Sequence, residues 1–334
     1  MTEFIVFVLA IAILLYVLLG GADFGAGIVE LVSGKKGMDT ISKAIAPVWE
    51  ANHVWLILAV VIIFNGFPKV FATLTTYLHI PVFIVLLGII FRGTAFTFRY
   101  YDTANDNTHK YYTQFFRISS LLTPFFLGVT LGAIMMGKIP SHVEGIFYDS
   151  FIQPWFNLFA FTTGIFLTIL FAWLAAIYLL GESNDKQSYL TFSRTARILF
   201  VLLVVSGLGV FVASELYELN FFSRFIHSPV AIICVVIATV VIPFLWQQIK
   251  RHNILVSRFL AGVQTACILT GWFAIQFPVM VYLADGSHLT IWNSRAPEKT
   301  MTLLVYALIA GILLIFPAFA YLFKVFKFRQ DKQQ

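Results

Sequence analysis

The sequence predicts an all-α integral membrane fold of nine transmembrane helices, on three observations. Of 334 residues, 60% are apolar and only 11% charged, against about 25% charged in soluble domains. The apolar residues fall in runs of about 20, the length a helix needs to cross the hydrocarbon core. The runs are solidly apolar and do not alternate, which disfavours strands. A helix also satisfies its own backbone hydrogen bonds in lipid.

The predicted spans are Phe4–Val32, Ala44–Asn65, Tyr77–Arg99, Phe115–Gly137, Trp155–Leu180, Ile198–Glu218, Ser228–Gln247, Phe259–Leu283 and Met301–Val325. The first is no cleavable signal peptide. It exceeds the ~7–15 residues of a signal h-region and lacks a positive n-region, since Glu3 is the only charge before Asp23. The connections are short and polar, as in Gly181–Ser193. Residues 1–334 therefore read as a single polytopic membrane domain. Spans 1–4 occupy 1–137 and hold the ionisable cluster, and spans 5–9 occupy 155–325.

Orientation follows from the placement of Lys and Arg. Sixteen fall in the loops after spans 1, 3, 5 and 7 and in the C-terminal tail; Arg99 and Arg117 are among them. Five fall on the opposite side, and Arg92 lies within a span. The N-terminus is thus expected outside and the C-terminus in the cytoplasm. The net charge of +6 reflects this sidedness and implies no nucleic-acid partner.

Charge inside a membrane helix costs about 2.5–3.5 kcal/mol at the centre on insertion scales, so such residues mark candidate sites. Asp23 in span 1, Glu50 in span 2 and Arg92 in span 3 lie ~13, ~9 and ~10 Å from the cytoplasmic ends of their helices, at 1.5 Å per residue. His53 lies at i+3 from Glu50, on nearly the same face. Glu30 follows Asp23 by seven residues, at the inner rim. Two readings stand. The cluster conducts protons from the cytoplasm, or it is a structural ion pair that fixes spans 1–3. Both hold together if Arg92 secures Asp23 while Glu50 relays. Gly25 and Gly27 flank Asp23, and Gly21-x-x-x-Gly25 permits close helix approach. Pro47 and Trp49 precede Glu50 at the entry of span 2.

No cofactor or metal site is read from this chain. Cys234 and Cys267 stand alone in apolar runs, with no C-x-x-C spacing. Non-covalent haem needs axial His or Met on facing helices, and His53 is the only His well inside a span. No residue is assigned as catalytic.

Several stretches resemble subunit II of the cytochrome bd-type quinol oxidases. Leu19-Gly20-Gly21-Ala22-Asp23-Phe24-Gly25-Ala26-Gly27 is similar to that family's L-D-G-F-D-L-G-x-G. Pro47-Val48-Trp49-Glu50-Ala51-Asn52-His53-Val54-Trp55-Leu56 resembles P-V-W-D-G-N-E-V-W-L, and residues 66–72 resemble G-[FY]-P-x-x-F-A. Residues 92–99 resemble R-G-x-[AS]-F-E-F-R, and 289–293 resemble L-T-[IV]-W-[DN]. The chain departs from the pattern at three acids. Gly20 stands for the first acid of helix 1, His53 for the second acid of helix 2, and Thr97 for the Glu of F-E-F-R. This marks a divergent branch, in which a near-neutral His53 substitutes for one carboxylate.

The resemblance implies a terminal oxidase of the bacterial cytoplasmic membrane that oxidises quinol and reduces oxygen to water. It implies a heterodimer with a haem-bearing subunit I, which carries haem b, haem d and the quinol site. A small single-helix subunit is a further partner to expect. This chain would support subunit I and help deliver protons from the cytoplasm. The residues carried over by position are Asp23, Glu50 and Arg92, with Trp49 as neighbour. Nine spans are expected as two four-helix bundles plus one extra helix. The alternative reading is a proton-coupled secondary transporter, which midplane acids also suit.

Overall fold

The structure, a computed structural model, describes residues 1–33, 41–42, 52–101, 108–142, 145–183 and 185–330. Span 1 is one continuous helix in three parts. They are α1 (Thr2–Leu15), a π-turn (Tyr16–Gly20) and α2 (Gly21–Ser33). Next come α3 (Val54–Gly66), α4 (Pro68–Tyr77), α5 (His79–Tyr101), α6 (Thr108–Met135) and the short α7 (Phe147–Phe151). The second half holds α8 (Leu158–Leu179), α9 (Lys186–Leu216), α10 (Phe221–His227), α11 (Pro229–Lys250) and α12 (Ile254–Gln276). A hairpin of β1 (Val279–Val281) and β2 (Leu289–Thr290) leads into α13 (Glu298–Gln330).

Among the described residues, eight helices are long and apolar enough to cross a membrane, or nine if α3 and α4 count as one bent span. That bend is 112°. Its cause is local: Phe67 adopts φ −134°, ψ 62°, as a residue before proline is pushed out of the helical region. Pro68 then opens α4 at a position where its missing N–H costs nothing. The stretch after span 2, read from sequence as a loop, is therefore helical.

Two further corrections concern helix ends. The eighth span was expected to run from Phe259 to Leu283, but α12 starts at Ile254 and stops at Gln276. Pro278 cannot continue it, and Val279–Val281 pairs antiparallel with Leu289–Thr290. A small sheet thus exists where none was expected. The sixth helix begins at Lys186 rather than Ile198. Asp185 caps it by accepting the Ser188 N–H, and the polar first turns project beyond the apolar run. Glu215 and Glu218, at its other end, are both solvent-exposed.

Helix α8 is the centre of the fold, with 72% of its most apolar window buried against 11% in α11. A helix that is apolar on every side belongs inside. Its N-terminus is fixed by Asn157, whose Oδ1 accepts the Ala160 N–H at 2.9 Å. Helix α2 wedges against α8 because it carries glycines there. A Cβ at Gly25 would overlap the Phe171 carbonyl, and one at Gly27 would overlap the Ser120 side chain of α6. The close approach expected from Gly21-x-x-x-Gly25 is realised.

The glycine contact gives a direct test. Gly25→Ala meets backbone, which no rotamer change relieves, so a loss of at least the ~1–3 kcal/mol typical of overpacking is expected. Gly209→Ala in α9 has nothing within 4 Å of its new Cβ and serves as the control. Thermal unfolding and yield of the purified complex should drop for the first and stay level for the second.

Candidate functional site

Asp23 and Arg92 form a buried bidentate ion pair. Arg92 Nη1 donates to Asp23 Oδ2 at 2.9 Å, and Nη2 donates to Oδ1 at 2.7 Å and to the Asp23 carbonyl at 2.9 Å. The side chains are 0% and 2% exposed, so neither charge is hydrated by bulk solvent. The guanidinium carbon also lies 4.7 Å from the Phe24 ring centre and 5.1 Å from that of Phe116. Cation–π attraction of this kind strengthens when the cation is desolvated. Fork-to-carboxylate geometry fixes direction as well as distance, so α2 and α5 are locked in one register.

A second ionic centre lies one heptad further along both helices. Arg99 Nη1 donates to Glu30 Oε1 and Oε2 at 2.9 and 3.0 Å, and Arg117 Nε donates to Oε1 at 3.0 Å. Arg99 Nη2 also donates to Ser42 Oγ at 2.9 Å. Glu30 is fully buried. Both pairs span the same offset of 69 residues, which requires α2 and α5 to run parallel. Phe116 lies under both guanidiniums, with Arg99 at 4.3 Å. Arg99 and Arg117, counted in the sequence as loop charges, are therefore structural partners of Glu30. The signal was present: Asp23 and Glu30 are seven apart, as are Arg92 and Arg99.

His53 joins this region. Its ring meets Phe24 edge-on at 5.9 Å. Among the described residues, its buried Nδ1 has no hydrogen-bond partner. Trp49 and Glu50 lie outside the described residues. One residue that the sequence did not single out is here too. Tyr16, at the head of the π-turn, is 3% exposed, and its hydroxyl has no hydrogen-bond partner among the described residues. An aromatic residue in an apolar helix gives no cue that its hydroxyl is buried without a partner.

An apolar cavity lies elsewhere, among α6, α8, α9, α11 and α12, with a volume of about 340 Å³. Phe159, Phe200, Phe211, Gln264, Cys234 and Cys267 are among its lining residues. Met135 also faces it, and accepts the Trp272 Nε1–H at 2.8 Å. Among the described residues no charged side chain lines it, so it is chemically distinct from the ionic region. Among the described residues, no three His, Cys, Asp or Glu side chains converge on a possible metal position.

The central pair makes a quantitative prediction. Removing one member of a buried pair strands the other charge and costs about 3–5 kcal/mol, whereas replacing both with apolar groups is often near neutral. Arg92→Met should thus destabilise strongly, and Asp23→Leu/Arg92→Met less than either single change. Strictly additive losses in thermal unfolding would show that the pair carries no coupling.

The chain was compared with known proteins. Residues 1–326 match the family model described as cytochrome bd terminal oxidase subunit II. The cytochrome bd ubiquinol oxidase subunit 2 of Bacillus subtilis is 28% identical over 223 residues, which cover 65% of this chain and 64% of that protein. This chain therefore spans just under two thirds of that relative's length. The cytochrome bd-I ubiquinol oxidase subunit 2 of Escherichia coli K12 is 21% identical, covering 90% of this chain and 88% of that one. A chain in the structure of bd oxidase from Geobacillus thermodenitrificans has the same fold, with a TM-score of 0.78, 19% identity and 98% of each chain covered. The apolar helices, the motif-bearing ion pair and a family match along nearly the whole length converge, and the chain belongs to the cytochrome bd terminal oxidase subunit II family.

Proposed function

We propose that this chain pairs with a haem-bearing subunit I in a quinol-oxidising, oxygen-reducing terminal oxidase. It is a multi-pass protein of the bacterial cytoplasmic membrane. In the proposed complex, subunit I holds haem b, haem d and the quinol site, and a small single-helix subunit is a further partner. Nine spans run from an outside N-terminus to a cytoplasmic C-terminus, as two four-helix bundles plus one helix. The parallel run of α2 and α5 supports this, because spans 1 and 3 must point the same way.

The proposed contribution of this chain to turnover is proton supply from the cytoplasm. The observation that carries it is the layer of ionisable groups on spans 1–3, buried where charge is costly. The roles divide by geometry. Asp23 is held by Arg92 through both carboxylate oxygens, so it anchors the layer, with Gly25 and Gly27 admitting the neighbouring helices. Glu50 and His53 relay, with Trp49 as the sequence neighbour of Glu50. His53 suits a relay because imidazole exchanges protons near neutrality and its Nδ1 is uncommitted. Protons taken up inside and quinol protons released outside separate charge without a pump.

Glu50 is the residue to test. Glu50→Ala should slow oxygen consumption and cytoplasmic proton uptake by the assembled complex. Glu50→Asp should be milder, because it keeps the carboxylate. Normal assembly with unchanged rates in both variants would reduce the layer to a structural role.

A further inference from the structure

The hydroxyl of Tyr16 is the most unusual polar group in span 1. Counting along the helix, it lies near the middle of Thr2–Val32, about 10 Å beyond Asp23 at 1.5 Å per residue. At that depth a buried hydroxyl without a partner costs free energy, so a packing role alone would favour Phe. The local backbone is also exceptional. The ordinary helical ladder gives way at Tyr16–Gly20 to a π-turn, a feature found frequently at functional positions. Gly20 completes the arrangement. A Cβ built there would lie 2.8 and 2.9 Å from Tyr16 Cε2 and Cδ2, so the ring occupies the space that any side chain at position 20 would need.

Position 20 is also where the motif resembled by this chain carries an acid. The tyrosine ring therefore occupies space that a side chain at position 20 would need. His53, at another of the three replaced acids, packs edge-on against Phe24, the residue after Asp23.

We propose that the Tyr16 phenol is the proton-passing group beyond the Asp23–Arg92 layer, standing in space for the side chain that Gly20 lacks. This rests on the proton-supply reading above and adds the next residue to it. The phenol passes a proton by exchange. Its oxygen lone pair accepts one proton from the cytoplasmic side while the O–H proton leaves on the other side, and the hydroxyl then rotates back. No charge is stored on the residue, which suits a phenol whose ordinary pKa is near 10.

The test uses the complete heterodimer in proteoliposomes. Tyr16→Phe keeps the ring over Gly20 and removes only the oxygen. Turnover per assembled heterodimer should fall about fivefold to tenfold. The solvent deuterium isotope effect should rise, because proton transfer becomes more rate-limiting. Tyr16→Ala/Gly20→Asp moves a carboxyl into the vacated space and should restore most of the lost turnover. Unchanged turnover and isotope effect in Tyr16→Phe, alongside slowed uptake in Glu50→Gln, would overturn the role of Tyr16 and leave the route through Glu50 standing. Unchanged uptake in Glu50→Gln would remove the proton-supply reading itself. A lower yield of Tyr16→Phe complex with normal turnover per heterodimer would assign Tyr16 to packing and also overturn the proposal.

Discussion

The pairing of Asp23 with Arg92 constrains everything around it. Each charge alone is forbidden at that depth, and each is tolerated because the other is held in fork geometry with no water between. Such a contact admits one register. Glu30 and Arg99 repeat it one heptad further in, so the two helices are fixed at two points rather than one. Two points set rotation as well as height. The glycines of α2 follow from the same demand, since guanidiniums on α5 reach α2 only if α6 and α8 also pack tightly against it. Phe116 of α6, beneath both arginines, fills the space that this geometry leaves.

Much of this was legible in the sequence, and the failures have physical causes. Apolar runs mark where the bilayer is, so the existence and order of the spans could be read directly. They do not mark where helices end. Asp185 and Asn253 start α9 and α12 outside the apolar runs, because a capped helix continues in water as well as in lipid. Phe67 and Pro68 split span 2 from α4 by backbone sterics, which hydropathy does not register. The charge count assigns Arg99 and Arg117 to a side but gives them no partner, and the structure pairs both with Glu30. A residue at the membrane edge is counted by position, whereas its partner is decided by the register of another helix. Asp23 and Arg92 meet in an ion pair, His53 lies against the Phe24 ring, and Glu50 and Trp49 lie outside the described residues.

The π-turn is a different kind of omission. Tyr16-Val17-Leu18-Leu19-Gly20 has the composition of any transmembrane stretch, and nothing in it signals an i+5 ladder. What stabilises the wider turn is tertiary. Gly21 and Gly25 seat α2 on Phe171 of α8, while α1 packs against α3 and the hairpin end of the fold. The two halves of span 1 thus serve different neighbours, and the π-turn absorbs the mismatch in rotation between them. Helix–helix packing, not local propensity, sets the conformation at Tyr16.

This division bears on which groups in the layer are fit to move protons. A carboxylate whose two oxygens and backbone carbonyl all accept from one arginine can take a proton only by surrendering its partner. That would strand the guanidinium in a site that excludes water. Asp23 is thus poorly suited to the relay and well suited to setting the field in which a relay works. The groups with uncommitted lone pairs, the Nδ1 of His53 and the hydroxyl of Tyr16, are the ones that this field can bias without breaking the fold. In the proposed route, His53 and Tyr16 take the places of two of the motif's three missing acids, and neither adds an unpaired carboxylate beside the fixed ion pair, whose desolvation would be costly; that is the physical reason to look for the route beside Asp23 rather than through it.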